Sequence, residues 1–172
     1  RALGLEVVDA TCPFVSKVHT EVKRFAGSGH TVLLIGHRRH EEVVGVAGEA
    51  PDHVVVIENE ADAEGVDLPA GSRVAVVTQT TLSSDMTGGI LSILRRRFPD
   101  LRMPEHSDIC YATQNRQRAI QVLATRVDMI LVLGSRNSSN SRRLVETGSA
   151  CGCRTVLVSE RAALAALDLA GI

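Results

Sequence analysis

The sequence predicts an α/β fold of repeated strand-loop-helix units with mostly parallel sheets, and three observations predict it. Short apolar runs rich in Val, Leu and Ile, such as Thr31 to Ile35 and Ile130 to Leu133, alternate with longer segments whose apolar residues recur at helical spacing. Each run stops at a polar loop that opens the next helix, an order that gives parallel strands joined by crossover helices. Aromatic residues make up only 2% of the 172, so Val, Ala and Leu supply the packing, as suits a sheet covered by helices. The irregular, Pro-containing stretch from Pro99 to Ser107 separates a first lobe, 1–104, from a second, 105–172.

Composition narrows the function classes. A formal net charge of −1 implies neither a nucleic-acid-binding nor a membrane-binding surface, and no apolar run approaches the length of a membrane span. The chain opens with Arg1-Ala2-Leu3-Gly4 rather than a signal peptide or an initiator Met, and reads as starting in mid-protein. Its four cysteines, Cys12, Cys110, Cys151 and Cys153, are too scattered for a secreted disulfide scaffold, which favours the reducing cytoplasm.

In chain order, Leu5 to Asp9 is a short strand, and Asp9-Ala10-Thr11-Cys12-Pro13 turns it into a helix with Pro near its first position, where the missing N–H costs little. Phe14, Val18, Val22 and Phe25 share one helical face, and Gly27 and Gly29 end it. The helix dipole favours an anionic sulfur at such a start, so Cys12 suits a metal ligand or nucleophile; a small buried hydrophobe is the alternative. The strand Thr31 to Ile35 ends in Gly36-His37-Arg38-Arg39-His40-Glu41-Glu42-Val43, where His40 and Glu42 suit proton transfer or anion binding, and His37 and Glu41 suit a solvated charge run.

A strand from His53 to Ile57, an acidic connection from Glu60 to Leu68 and a turn at Pro69-Ala70-Gly71 follow. The strand Arg73 to Val77 then runs into Thr78-Gln79-Thr80-Thr81-Leu82-Ser83, with Ser83 or Ser84 placed to cap a helix reaching Phe98. Asp108 to Arg116 opens a helix with Ala119, Val122 and Leu123 as its inner face, so Cys110, too, stands just before a helix. After Ile130 to Leu133, Gly134 leads into Ser135-Arg136-Asn137-Ser138-Ser139-Asn140-Ser141. Hydroxyls, carboxamides and unpaired amides at a helix start make an anion site, for which a phosphorylated ligand is the natural guest; the same residues also serve as caps and turn formers. Cys151-Gly152-Cys153, spaced too tightly for a usual zinc knuckle, reads as structural or incidental, and Thr155 to Val158 and Arg161 to Leu167 give a last strand and helix.

Most of the chemically loaded loops follow a strand's carboxyl end, the side on which open α/β sheets bind ligands. Two separated cysteines make a poor zinc set but suit part of an iron–sulfur site if more thiolate comes from elsewhere.

These segments, Asp9-Ala10-Thr11-Cys12-Pro13, Gly36-His37 with His40 and Glu42-Val43, Thr78 to Ser83, Ile109 to Thr113 with Asn115-Arg116-Gln117, and Gly134-Ser135 with Asn137 to Ser141, resemble the 4-hydroxy-3-methylbut-2-enyl diphosphate reductase family, the last enzyme of the methylerythritol phosphate route. The resemblance implies a three-lobed α/β protein around a central 4Fe-4S cluster, of which this chain supplies two lobes. It implies Cys12 and Cys110 as two of three cysteine ligands, the third lying upstream, and no ligand role for Cys151 or Cys153. It implies His40 beside the substrate diphosphate, Ser138, Ser139 and Asn140 as its phosphate cradle, Thr80 near the substrate hydroxyl, and Glu42 as proton donor.

The implied reaction is reductive dehydroxylation of the allylic diphosphate to isopentenyl and dimethylallyl diphosphate, with electrons from reduced ferredoxin or flavodoxin. Two substrate-facing histidines upstream of Arg1 and a phosphate-binding serine downstream of Ile172 are expected as well, so the chain alone does not hold a complete site and is expected to be inactive. It departs from the family pattern at Arg39 and Glu41, where Gly and Pro are usual. Two other classes fit parts of the sequence: a metal-free phosphosugar-binding enzyme using the Ser/Asn loop, which leaves Cys12 and Cys110 unexplained, and a non-catalytic module that keeps the fold.

Overall fold

The computed structural model describes residues 4, 6, 8–106 and 108–167; of the expected strand at Leu5 to Asp9, Leu5 and Val7 lie outside the described residues, and Glu6, Val8 and Asp9 belong to no strand. The chain forms two compact units, Arg1–Thr80 with Gly89–Asp108, and Thr81–Gly88 with Ile109–Ile172. The first unit runs on to Asp108, and the short piece Thr81–Gly88 groups with the second. Bonds within that unit hold the piece: Thr81 Oγ1 meets Ser139 Oγ at 3.0 Å, and the buried Gln117 amide donates to Leu82 O at 3.4 Å.

The first unit is built on a parallel sheet of three strands, β1 (Thr31–Ile35), β2 (Val54–Ile57) and β3 (Val74–Thr78), in the order β2-β1-β3. In register, Leu34 of the central strand faces Val56 on one side and Val77 on the other. Apolar runs without a polar face mark strands covered on both sides, and Val32 to Ile35 and Val74 to Val77 are all buried. Helix α1 (Pro13–Gly27) lays Val18, Val22 and Phe25 on one side of this sheet, against Val32, Leu34, Ala75 and Val77 and against Val43 and Val46 of α2 (Glu41–Ala47). The expected acidic connection contains a short helix, α3 (Glu60–Gly65). Asn59 caps it by accepting from Asp62 N at 2.9 Å, and Glu60 and Asp62 complement the dipole in its first turn.

Strand order places the ligand side. From β1 the chain passes through α2 to β2, whereas from β3 it runs through α4 (Ser84–Arg97) to Arg102, which bridges in parallel to Ala75. The two neighbours β1 and β3 therefore send their connections to opposite sides. That reversal is a topological switch point, and in open sheets of this kind ligands usually bind outside the carboxyl ends of the strands at such a point.

The second unit pairs β4 (Met129–Leu133) with β5 (Arg154–Val158) in parallel, alongside α5 (Tyr111–Ala124) and α6 (Ser139–Ala150), with a short α7 (Arg161–Ala165) after β5. Ile120, Ile130, Val132 and Cys153 form its buried centre, packed by Ala124, Leu144, Val145 and Leu157. Cys153 is thus core filling, while Cys151 is exposed at the end of α6. The buried stripe of α5 is Thr113, Gln117 and Ile120, not the expected Ala119, Val122 and Leu123, of which the last two are 46% and 44% exposed. The reason is polar: Gln117 turns inward to pair the Leu82 carbonyl, and its stripe rotates the apolar trio outward.

One histidine titrates against this fold. His30 is buried beside Phe25 with its Nδ1 3.0 Å from Ser28 Oγ, and burial, helped by the Arg73 charge, lowers its pKa. A lowered folded-state value means stability present above the unfolded pKa of about 6.5 and lost as pH falls through the folded one. The melting temperature of the wild type is therefore expected to fall more between pH 7 and pH 5 than that of His30→Gln. Parallel pH profiles by calorimetry would contradict this.

Candidate functional site

Glycine lets the exits of β1 and β3 lie close together. A Cβ on Gly36 would lie 2.6 Å from Val43 Cγ2 and 3.0 Å from Gln79 Cβ, so only glycine lets the β1 exit pass this near to the β3 exit. Gln79 locks the two together: its N–H donates to Ile35 O at 2.8 Å and its Oε1 accepts from His37 N at 3.1 Å. Gln79 is almost fully buried, with its backbone N–H and its side-chain oxygen each bonded to the β1 exit.

On that frame two of the candidate residues meet directly. Glu42, in the first turn of α2, accepts from Thr80 N at 2.7 Å through one carboxylate oxygen and from Thr80 Oγ1 at 3.2 Å through the other. Thr80 is buried and Glu42 half-buried, so a carboxylate and a hydroxyl share a partly desolvated position at the sheet's ligand end. His40 is the N-cap of α2, and its Nδ1 accepts from Glu42 N at 3.2 Å. With Nδ1 occupied as acceptor, the ring offers its remaining N–H from Nε2. Arg39 is exposed, and Glu41 takes the first helical position, where an acid complements the dipole much as Pro would suit the backbone. The departures from the family pattern thus leave a capped helix start and the Glu42–Thr80 bonds in place. His37 lies 3.9 Å from Glu58, and Arg38 pairs with Glu58 and Asp62 at the exposed edge.

The second unit carries the polar loop between β4 and α6. Gly134 packs so tightly that a Cβ would come 2.1 Å from Ser141 Oγ. Ser138 is the N-cap of α6 and accepts from Ser141 N at 3.2 Å, so the capping role holds for this serine, and its own O–H is kept for donation. Ser139 shares its hydroxyl with Thr81, and Asn140 Oδ1 is buried without a hydrogen-bond partner. Turned about its amide, Asn140 would present N–H donors at that position, as an anion requires.

Both candidate ligand cysteines hold the N-cap position of a helix, Cys12 of α1 and Cys110 of α5, and neither makes a side-chain cap bond. Cys12 is exposed and Cys110 half-buried, both as free thiols. Among the described residues no three His, Cys, Asp or Glu side chains come together as a metal site. Helix α1 is also tied to the approach to α5, because Asp108 accepts from Lys17 Nζ at 2.9 Å and from Thr78 N at 3.1 Å. Burial raises the Asp108 pKa, and the Lys17 bond and the Thr78 amide oppose that rise. From the sequence Lys17 has no role, and Gln79, Asp108 and Gln117 stand only as members of their segments; their partners, distant along the chain, are what the structure adds.

The family model described as LytB protein matches residues 1–172. The chain belongs to the LytB family. Among LytB relatives, 4-hydroxy-3-methylbut-2-enyl diphosphate reductase of Rhodopirellula baltica is 49% identical over 158 residues, 92% of this chain and 50% of the relative. Reductase 1 of the same name from Mycobacterium bovis is 53% identical over 151 residues, 88% of this chain and 45% of its own length. The chain thus spans about half the length of the curated LytB relatives it matches. Among solved structures, the E-1-hydroxy-2-methyl-but-2-enyl-4-diphosphate reductase of Plasmodium falciparum superposes with a TM-score of 0.87 at 37% identity, covering 94% of this chain and 50% of that one. The LytB fold is therefore shared, as an α/β structure with parallel sheets. No helix among the described residues is long and apolar enough to cross a membrane.

The Ser138 cap gives a stability test separate from any binding role. Ser138→Ala is expected to destabilise the protein by about 0.5–2 kcal/mol, and Ser138→Asp, which caps as well, by much less. Urea denaturation of the two variants measures this, and equal losses would assign the serine no capping role.

Proposed function

We propose that this chain forms part of a 4-hydroxy-3-methylbut-2-enyl diphosphate reductase, a cytoplasmic enzyme that removes the substrate's hydroxyl reductively and releases isopentenyl and dimethylallyl diphosphate. The observation that carries the reading is the Glu42–Thr80 pair: a carboxylate bonded to both the amide and the hydroxyl of a buried threonine at the carboxyl end of the parallel sheet. It is supported by membership of the LytB family and by relatives whose names state that activity.

The donor chemistry suits a 4Fe-4S cluster: two thiols stand at helix starts without cap bonds, leaving both sulfurs available as ligands. A bound cluster would supply the reaction's two electrons, delivered to the protein by reduced ferredoxin or flavodoxin. Replacing the C–OH of the substrate by C–H consumes those electrons and two protons, and releases water.

In this reading Thr80 gives its hydroxyl proton toward the departing oxygen and recovers one from a protonated Glu42, whose carboxyl is already aligned on the Thr80 oxygen. Burial of Thr80 keeps water from competing for that proton. Ser138 and Asn140 hold the diphosphate by donating hydrogen bonds, with Ser139 beside them and His40 adding its Nε2–H. Bonds to a charged phosphate are worth about 1.5–3 kcal/mol each.

Two experiments on the full-length gene product test this. With cluster loaded, Glu42→Gln keeps shape and hydrogen bonding but has no proton to release, so turnover should fall by about 10²–10⁴-fold while substrate still binds. Glu41→Gln, one residue away and exposed, should leave turnover near wild type; activity near wild type in Glu42→Gln would place the proton source elsewhere. Separately, Cys12→Ser or Cys110→Ser should abolish the visible absorbance of the cluster, and Cys151→Ser or Cys153→Ser should preserve it in the folded protein. Equal loss from all four would remove Cys12 and Cys110 from their proposed role.

A further inference from the structure

We infer that the Lys17–Asp108 ion pair is a positioning device for the cluster-binding cysteines, holding the root of the Cys110 segment against the helix that Cys12 opens. This rests on the cluster reading above and adds to it two residues that touch neither substrate nor metal.

The geometry is specific. The Asp108 side chain is 2% exposed, yet both its oxygens are engaged, Oδ1 by Lys17 Nζ at 2.9 Å and Oδ2 by Thr78 N at 3.1 Å. Lys17 reaches the carbonyl of His106 as well, at 2.7 Å, so the ammonium grips the chain on both sides of position 107. Along the sequence, Lys17 lies in the second turn of α1, five residues after Cys12, and Asp108 lies two residues before Cys110. Thr78 ends β3, two residues before Thr80. A single carboxylate therefore joins the helix after one cysteine, the approach to the other, and the strand that delivers the hydroxyl of the proton-transfer pair.

Stability alone is a weak reason for such a pair. Apolar side chains of similar volume would stabilise a buried position as well or better, since each charge must be stripped of water. What apolar contact lacks is direction. Bonds on both carboxylate oxygens fix the rotation as well as the place of residue 108, and the second backbone contact at His106 fixes the chain's course into it. Arg38 with Asp62 and Arg96 with Glu64, by contrast, pair at the solvent, and no acid of the first unit's other described ion pairs is as buried as Asp108. Groups bonded to a metal's ligands set metal affinity without touching the metal, and this pair acts one step further out, through the chain from Asp108 to Cys110, two positions later.

The test uses full-length protein reconstituted with iron and sulfide under anaerobic conditions. The variants are Lys17→Met, Asp108→Asn, the two combined, and Lys17→Arg as the conservative replacement. Val22→Ala is the control, because it weakens packing of the same helix within the core without touching the pair. Three quantities are read: the lifetime of the visible absorbance in a chelator, the electron paramagnetic resonance spectrum of the reduced cluster, and the melting temperature of the metal-free protein.

Lys17→Met and Asp108→Asn should each shorten the lifetime by about tenfold or more and alter the spectrum. The combined variant should be no worse than the more affected single one, and Lys17→Arg should recover most of the wild-type lifetime. Val22→Ala, though it melts lower, should keep the wild-type spectrum. Asp108→Asn retains an acceptor for Thr78 N and so provides a folded variant even if Lys17→Met does not. Wild-type lifetimes and spectra in the pair variants, or changes that Val22→Ala reproduces at an equal melting temperature, would overturn the inference while leaving the cluster reading intact. A wild-type protein that takes up no iron, by contrast, would overturn the cluster reading and this inference with it.

Discussion

A buried strand that ends in polar residues must find a partner for every N–H and C=O it carries inward, and the exit of β3 is where this chain meets that demand. Four successive residues meet it with different partners. Gln79 pairs with the exit of β1, Thr80 with Glu42, Thr81 with Ser139, and the Leu82 carbonyl with Gln117. Within the first unit this fixes the start of α2 against the sheet, and within the second it holds the piece Thr81–Gly88 to α5 and α6. The candidate acid, the hydroxyl beside it and the polar loop all take their positions from these ties.

Local preferences are set aside in the same regions. Ser, Thr, Asp and Asn are the favoured caps of helices, and α2, α3 and α6 accept backbone N–H bonds through His40, Asn59 and Ser138. Helices α1 and α5 instead begin after cysteines that make no cap bond, forgoing about 1 kcal/mol each. Residues that break a local rule without a local gain are those expected at functional positions. The same holds for Asp108, a charge placed where an apolar residue would pack more easily.

The tight glycines express the same constraint in steric form. At Gly36 the neighbours are Val43 and Gln79, and at Gly134 the neighbour is Ser141, so each glycine lets a strand exit lie directly on a helix start. A loop with room for a side chain at these points would move the hydroxyls and carboxylates by the width of a methyl group. That is more than hydrogen bonds of 2.7–3.2 Å tolerate.

What the sequence determined by itself was local. Runs of Val, Leu and Ile fixed β1 at Thr31–Ile35 and brought β2 to β5 within a residue or so of their ends, because covered parallel strands cannot alternate with polar residues. Pro13 and the Ser/Asn loop after Gly134 marked helix starts, and the ordered set of short motifs was specific enough to name the family. Tertiary structure alone decided the pairings of Gln79 with His37, Gln117 with Leu82, and Lys17 with Asp108, and it supplied the direct bonds between Glu42 and Thr80, two residues that the resemblance had already associated. It also turned α5 onto its Thr113, Gln117 and Ile120 stripe and made Glu60–Gly65 a helix. Periodicity counts apolar residues, whereas these outcomes hang on buried polar groups finding partners up to 91 positions away, which no window along the chain contains.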